Sequence, residues 1–184
     1  MLEVNFQPFP TLETERLTLR EITRDDVNEI FSLRSDKELM RYISRPLAVT
    51  MEDALKWMQV VFDLLENNNG ITWGISLKET PLVIGTIGLW RIDKPHYRAE
   101  LGYMLQTAHQ QKGITSEVLA AVVDYGFKEM KLHSIEAKAS PNNAASLKVL
   151  DKAGFVREAY FKEDYYFNGQ FLDTVVYSLL APKE

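Results

Sequence analysis

The sequence predicts an α+β fold in which a mixed, mostly antiparallel central sheet of about seven strands carries helices on both faces. Residues 72–105 form short runs typical of strands, separated by turn residues, which indicates an antiparallel meander. Residues 115–130 place apolar side chains at spacings of three and four, as on one face of a helix. A further strand over residues 134–139 completes a strand-helix-strand crossover, and a crossover beside antiparallel strands implies a mixed sheet.

The first seventy residues carry one strand signal and three helix signals. Residues 17–22 alternate apolar and polar side chains, as a half-buried strand does. Thr23, with aspartates two and three residues later, predicts a capped helix start, and a short helix over residues 37–42 follows. Thr50 repeats the capping signal ahead of a long helix, which the Asn-rich run at residues 67–70 ends.

The second half of the chain alternates strands and helices up to a closing hairpin. Gly154 is the predicted stop of the second helix in this part, and Asn168-Gly169 predicts a tight turn because both central positions need positive φ. The predicted segments are, in order, strands over 72–77, 82–92 and 99–105, a helix over 115–130, a strand over 134–139, a helix over 144–153, and hairpin strands over 160–167 and 171–180.

The composition limits the classes of function that the chain can have. Its 184 residues, 46% of them hydrophobic and 26% charged, fit one globular domain over residues 1–184. A net charge of -5 argues against nucleic-acid binding, and neither a secretory leader nor a membrane span is expected. Without cysteine, and with three histidines that lack partners at metal-ligand spacing, no metal site is expected. We therefore expect a cytoplasmic protein.

The loop over residues 110–116 is the first candidate site. It joins a strand to an amphipathic helix, so its N–H groups are the unpaired donors of a helix amino terminus. Such donors bind anions, Gly113 lets a phosphate approach the main chain, and Lys112 adds a positive charge. The loop lacks the glycines of a Walker loop or of a dinucleotide fingerprint. A pyrophosphate is the expected ligand, and a simple turn is the alternative.

Two motifs resemble those of the GCN5-related N-acetyltransferase (GNAT) family. Residues 110–115 resemble its Gln/Arg-x-x-Gly-x-Gly/Ala loop, which cradles the pyrophosphate of coenzyme A, although Thr115 stands where glycine or alanine is usual. Residues 140–155 resemble its second cofactor motif, in which Asn143 caps a helix or contacts the ligand. The resemblance implies the GNAT acyl-CoA N-acyltransferase fold, acetyl-CoA as co-substrate, and ten cofactor-binding residues: Met104, Leu105, Gln110, Gln111, Lys112, Gly113, Ile114, Thr115, Ser116 and Asn143.

Acetyl transfer to an amine requires a base and an acid for the leaving thiolate. Glu100, at the start of a partly buried strand, is the candidate base, and an ion pair with Arg98 or a neighbouring strand is its alternative role. The family splays this strand from the next one, so that main-chain groups bind the pantetheine arm and the thioester oxygen. Many relatives place a tyrosine where Leu150 stands, so that role does not transfer. Resemblance to the ribosomal-protein acetyltransferase branch implies Ser146, one helical turn after Asn143, as the candidate acid, with solvent as the alternative. Three further phenols could serve in its place: Tyr103, Tyr165 and Tyr166.

The predicted function is transfer of acetyl from acetyl-CoA to a primary amine. The segment AELGYML, the cofactor loop and the Asn143-x-x-Ser146 stretch look most like the branch that contains the ribosomal-protein N-terminal acetyltransferases. That resemblance implies a protein α-amino group as acceptor, with a small amine or antibiotic as the second choice and a homodimer as a possibility. A non-catalytic acyl-CoA-binding module is the alternative of another class, motivated by Thr115 and Leu150.

Overall fold

One continuous sheet of eight strands organises the molecule, which a computed structural model describes over residues 1–183. The predicted helices and strands are confirmed, and one short strand that was not predicted precedes them. The strands are β1 (Leu12–Glu13), β2 (Leu17–Glu21), β3 (Gly70–Leu77), β4 (Val83–Asp93), β5 (Arg98–Leu105), β6 (Ser134–Ala139), β7 (Val156–Phe167) and β8 (Gln170–Leu180). The helices are α1 (Val27–Ser35), α2 (Lys37–Met40), α3 (Met51–Glu66), α4 (Ile114–Lys128) and α5 (Ala144–Lys152).

The sheet order is β1-β2-β3-β4-β5-β6-β8-β7, and only the β5–β6 pair is parallel. Helix α4 makes the crossover that parallel pairing requires, as the sequence predicts. Because β5 and β6 run in the same direction, their carboxyl ends lie at one edge of the sheet. The helices that follow them, α4 and α5, therefore both begin at that edge.

Helices cover both faces of the sheet, as predicted. Helices α1 and α3 bury apolar side chains against one face, where Met104 lies. Helices α4 and α5 pack on the other face, where Leu101 and Leu105 lie. Neighbouring positions of a strand point to opposite faces, so the two clusters are separated by the sheet. Within residues 1–183, no helix has both the length and the apolar character to cross a bilayer.

The capping signals at Thr23 and Thr50 both mark helix starts: Thr50 caps α3, and Thr23 caps a single 3-10 turn, Arg24–Asp26, that leads into α1. The amide N–H of Thr50 donates to Oδ2 of Asp53 at 2.9 Å, and that of Thr23 donates to Oδ2 of Asp26 at 2.8 Å. Asp26 is also held by Arg20, whose Nη2 lies 2.6 Å from Oδ1. Burial would raise the pKa of Asp26, but hydrogen bonds from Arg20 and Thr23 hold the pKa below its usual value.

We expect the Asp26→Asn variant to be less stable than the wild type at neutral pH, by about 2 kcal/mol. A depressed folded-state pKa stabilises the folded protein above the ordinary aspartate pKa of about 3.9, and this stabilisation disappears as the pH falls through the folded value. Denaturant unfolding should therefore show a difference at pH ~7 that shrinks below pH ~4. Asp25→Asn, an exposed neighbour, is the control, and equal losses in both variants would contradict this account.

Candidate active site

A gap in the sheet between β5 and β6 is the centre of the site. The two strands pair from Arg98 with Ser134 to Leu101 with Ala137, and the described chain shows no further pair. Strand β5 nevertheless continues to Leu105 along β4, while β6 stays paired with β8. The strands therefore separate toward their carboxyl ends, which leaves main-chain groups of β5 without a strand partner.

The pairing with β4 decides which groups of β5 face this gap. The N–H of Gln106 donates to a β4 carbonyl oxygen, and hydrogen-bonded pairs alternate along an antiparallel ladder. Met104 therefore turns its main-chain groups toward Thr86 in β4, whereas Tyr103 and Leu105 turn theirs toward the gap. Of the two predicted pantetheine contacts, Leu105 is placed to make one with its main chain. Met104 turns its main-chain groups toward β4 instead, and Tyr103 is the second residue of β5 that faces the gap.

The loop over residues 110–116 has the backbone of an anion cradle. Gln111 and Gly113 have φ values of 60° and 76°, so two left-handed residues flank Lys112. Such alternation turns successive N–H groups toward a common centre. In the described chain, no N–H group of residues 111–116 donates to a protein acceptor. Six consecutive donors are thus free for a ligand, including those of Ile114, Thr115 and Ser116 at the start of α4.

Side chains fix this loop at both ends. Nε2 of Gln110 donates to the Leu105 carbonyl oxygen at 2.9 Å, so Gln110 ties the loop to the end of β5. Ile114 is buried in the core beneath α4, whereas Gln111 and Lys112 are exposed. Lys112 can therefore reach an anion on the cradle, and Gln110 is placed to shape the loop.

Helix α5 presents a hydroxyl group at the edge of the gap. Asn143 caps the helix, since its Oδ1 accepts from the N–H of Ser146 at 3.2 Å. Oγ of Ser146 lies 2.8 Å from the hydroxyl oxygen of Tyr103, across from α5 to β5. Burial raises the pKa of Tyr103, although the hydrogen bond with Ser146 opposes the shift, so the phenol is protonated at neutral pH. Leu150 is buried in the core and offers no acid.

Glu100 lies in a network of charges on the opposite face of β5. Its Oε2 lies 2.8 Å from Nη1 of Arg91 and 3.4 Å from Nζ of Lys138, while its Oε1 accepts from Trp90 at 3.3 Å. Of the two ion pairs considered for Glu100, the one with Arg98 does not form, because Arg98 bonds Glu136 instead. The one with a neighbouring strand does form, through Arg91 of β4 and Lys138 of β6. The carboxylate of Glu100 is therefore partnered by two cations, just before the point where β5 and β6 separate.

A bulge in β7 shapes the far side of the gap. Between the pairs Phe161–Thr174 and Tyr165–Leu172, β7 has three residues and β8 has one, so residues 162–164 project from the sheet. The side chain of Asp173 holds them, because it accepts from the N–H of Glu163 at 2.8 Å and from the Tyr160 hydroxyl.

The loop after α2 reaches this bulge. Nη1 of Arg45 donates to the hydroxyl oxygen of Tyr165 at 2.8 Å, and that hydroxyl donates to the Ser44 carbonyl oxygen. The loop after α2 and the terminal hairpin are thus in direct contact.

Sequence reasoning missed two contacts of the site. The first is the hydrogen bond between Tyr103 and Ser146. Strand alternation indicates the face of β5 on which Tyr103 lies, but it does not identify Ser146 of α5 as its partner. The second is Arg16, which bonds both the cradle and α4 from a position almost one hundred residues away. Among residues 1–183, no group of three or more histidine or acidic side chains is arranged to hold a metal ion.

Comparison with known proteins identifies the class of enzyme. Residues 16–156 match the family described as the acetyltransferase (GNAT) domain. The chain therefore belongs to the GNAT family, and it is an acetyl-CoA-dependent N-acetyltransferase. It is also 40% identical over 176 residues to the uncharacterized N-acetyltransferase YoaA of Bacillus subtilis, covering 96% of this chain and 99% of that protein.

Two solved structures of named enzymes have the same fold. Ribosomal-protein-S5-alanine acetyltransferase from Vibrio fischeri is 27% identical, with a TM-score of 0.82 over 93% of this chain and 96% of that one. Spermidine N-acetyltransferase from Vibrio cholerae, in complex with CoA and spermine, is 25% identical, with a TM-score of 0.79 over 89% of this chain and 95% of that one. These relatives share the acetyl donor chemistry and differ in the amine that they modify.

Proposed function

We propose that this enzyme acetylates the α-amino group of a protein's first residue, with a ribosomal protein as the preferred acceptor. The observation that carries the proposal is the open, aromatic hairpin beside the gap, which suits a peptide better than a small amine. Its exposed aromatic side chains are Tyr160, Phe161, Tyr165, Tyr166 and Phe171. The similarity to the alanine acetyltransferase agrees with this choice. A ribosomal acceptor would place the reaction in the cytoplasm, and the homodimer stays a prediction.

The gap is proposed to hold the thioester, with the pyrophosphate on the cradle. The neutral amine attacks the thioester carbon, a C–N bond forms, and the carbonyl oxygen gains negative charge. The N–H of Leu105, which faces the gap, is placed to stabilise this oxygen. The C–S bond then breaks, the amine releases its proton to water, and the thiolate takes the hydroxyl proton of Ser146. A proton from Tyr103 replaces it on Oγ, and solvent returns a proton to Tyr103. We assign Tyr103 as the donor in its hydrogen bond with Ser146, so that the serine hydrogen is free for the sulfur.

Glu100 is proposed to prepare the incoming amine. Its carboxylate lies beside the cations Arg91 and Lys138, close to the point where β5 and β6 separate, where it can accept a hydrogen bond from an incoming ammonium group. We therefore assign it the passage of the ammonium proton to water. Because Arg91 and Lys138 are partly exposed to solvent, water can reach this network and take the proton directly.

We expect Glu100→Gln to lower kcat/KM for the amine about tenfold, mainly below the pKa of the acceptor, where the ammonium form dominates. The pH profile of kcat/KM should shift to higher pH, while coenzyme A affinity stays at the wild-type value. Glu136→Gln is the matched control, since Glu136 lies in register with Glu100 and shares Lys138. An unchanged profile for Glu100→Gln would remove this residue from the mechanism.

A polyamine is the second candidate acceptor, because Glu100, Glu136 and Glu158 all lie on the open part of the sheet and one solved relative acetylates spermidine. The decisive experiment measures thiol release from acetyl-CoA with three acceptors: peptides that begin with alanine or serine, the same peptides with a blocked amino terminus, and spermidine. The protein has no cysteine, so a thiol reagent reports only coenzyme A. Turnover with free peptides alone supports the proposal, and turnover with spermidine alone overturns it. Binding of acetyl-CoA without turnover on any acceptor would favour a regulatory module.

A further inference from the structure

Arg16 connects the start of β2 to the anion cradle. Its Nη1 donates to the Lys112 carbonyl oxygen at 2.9 Å, and its Nε donates to Oε2 of Glu117 at 2.7 Å. Its main-chain N–H donates to the other oxygen of Glu117 at 3.0 Å, and the Thr14 hydroxyl donates to that oxygen at 2.6 Å. One side chain thus holds both the loop and the first turn of α4.

The bond to Lys112 has a directional consequence for the cradle. In a trans peptide unit the C=O and the following N–H point in opposite directions. Because Arg16 holds the Lys112 carbonyl oxygen, the N–H of Gly113 points away from Arg16. This N–H is one of the six free donors of the loop. The contact therefore fixes the direction of a donor on which the anion depends.

The bond to Glu117 has an electrostatic consequence. A carboxylate in the first turn of a helix lies where an anion would bind, so it opposes a pyrophosphate unless a cation compensates it. Burial would raise the pKa of Glu117, but hydrogen bonds from Thr14 and Arg16 hold the pKa below its usual value. The group is therefore fully charged at neutral pH. Arg16 balances this charge and stays 46% exposed, with guanidinium N–H groups left over.

We propose that Arg16 is a positioning residue for the pyrophosphate of coenzyme A, which orients the cradle and cancels the charge of Glu117. This inference rests on the assignment of residues 110–116 as the pyrophosphate site. It concerns the donor side of the reaction, and it is independent of which amine is acetylated.

The test measures coenzyme A binding by titration calorimetry, which needs no acceptor. Arg16→Gln should bind coenzyme A about tenfold more weakly than the wild type. Arg98→Gln is the matched control, since Arg98 forms an ion pair of similar length with Glu136 at equal exposure, away from the cradle. Equal affinity in Arg16→Gln and Arg98→Gln would overturn the proposal. A wild type that binds no coenzyme A would overturn the cofactor site itself.

A second measurement separates positioning from a general loss of structure. Acetyl-pantetheine lacks the pyrophosphate, so the ratio of kcat/KM for acetyl-CoA to that for acetyl-pantetheine should fall about tenfold in Arg16→Gln. An unchanged ratio would indicate a merely structural role and overturn the proposal. The double variant Arg16→Gln with Glu117→Gln should regain part of the lost affinity, because the uncompensated carboxylate is gone. No recovery would remove the electrostatic part of the proposal.

Discussion

Gly113→Val is expected to weaken coenzyme A binding by about two orders of magnitude. Gly113 has a φ of 76°, a conformation that a β-branched residue adopts only at a cost of about 1–3 kcal/mol. A valine would either keep this strain or change φ at residue 113 to a negative value. With a negative φ, the N–H groups of residues 111–116 would no longer point toward one centre. The valine Cβ would also stand 3.5 Å from Nη2 of Arg16, beside the contact that holds the loop. Titration calorimetry with coenzyme A measures the loss directly.

Gly169→Val is the matched control for this prediction. Gly169 has a φ of 81°, and an added Cβ would meet no atom within 4 Å. The backbone strain is therefore similar, but it falls on the exposed hairpin turn between β7 and β8. We expect a lower melting temperature for Gly169→Val together with wild-type affinity for coenzyme A. If both variants bind coenzyme A like the wild type, the loop is not the cradle.

Local signals in the sequence predicted most of the fold because their partners lie within one turn. Thr50 and Asp53 are three residues apart, so a capping pair is readable without any knowledge of the tertiary structure. Gly154 and the Asn168-Gly169 turn have positive φ values in the structure, as their residue types indicated. The crossover from β5 through α4 to β6 follows from the change of hydrophobic period alone.

The contacts that build the site join distant segments, and periodicity does not identify such partners. Alternation along β5 predicts that Glu100 and Tyr103 lie on opposite faces of the sheet. The ion-pair partners of Glu100, Arg91 and Lys138, depend on the register of β5 with β4 and β6, which alternation does not reveal. The end of the β5–β6 ladder at Leu101 is likewise a matter of register. Arg16 stands 101 residues before Glu117, and many acidic residues were equally plausible partners. Sequence patterns therefore predict the loop over residues 110–116 as an anion site, but they do not identify Arg16 as the side chain that holds it.

Ser146→Ala is expected to lower kcat about 100-fold, since the thiolate loses its proton donor, while coenzyme A affinity stays near the wild-type value. Tyr103→Phe keeps the ring and its packing but removes the hydroxyl that holds Oγ of Ser146. We expect a loss of about tenfold in kcat, because the Ser146 hydroxyl can then rotate and its hydrogen no longer points mainly at the sulfur. Steady-state rates at saturating acetyl-CoA measure both effects. Tyr125→Phe, a partly buried phenol on α4 that packs against Trp73, controls for loss of a hydroxyl elsewhere.

The double variant decides whether the two hydroxyl groups act as one unit. If Tyr103 acts only through Ser146, then removing it from the Ser146→Ala protein changes nothing, and the double variant keeps the roughly 100-fold loss of the single one. Independent roles would instead multiply the losses to roughly 1,000-fold. A Tyr103→Phe protein with wild-type kcat would show that the 2.8 Å contact between the hydroxyl groups is structural. Ser146 would then give its proton to the thiolate without help from Tyr103.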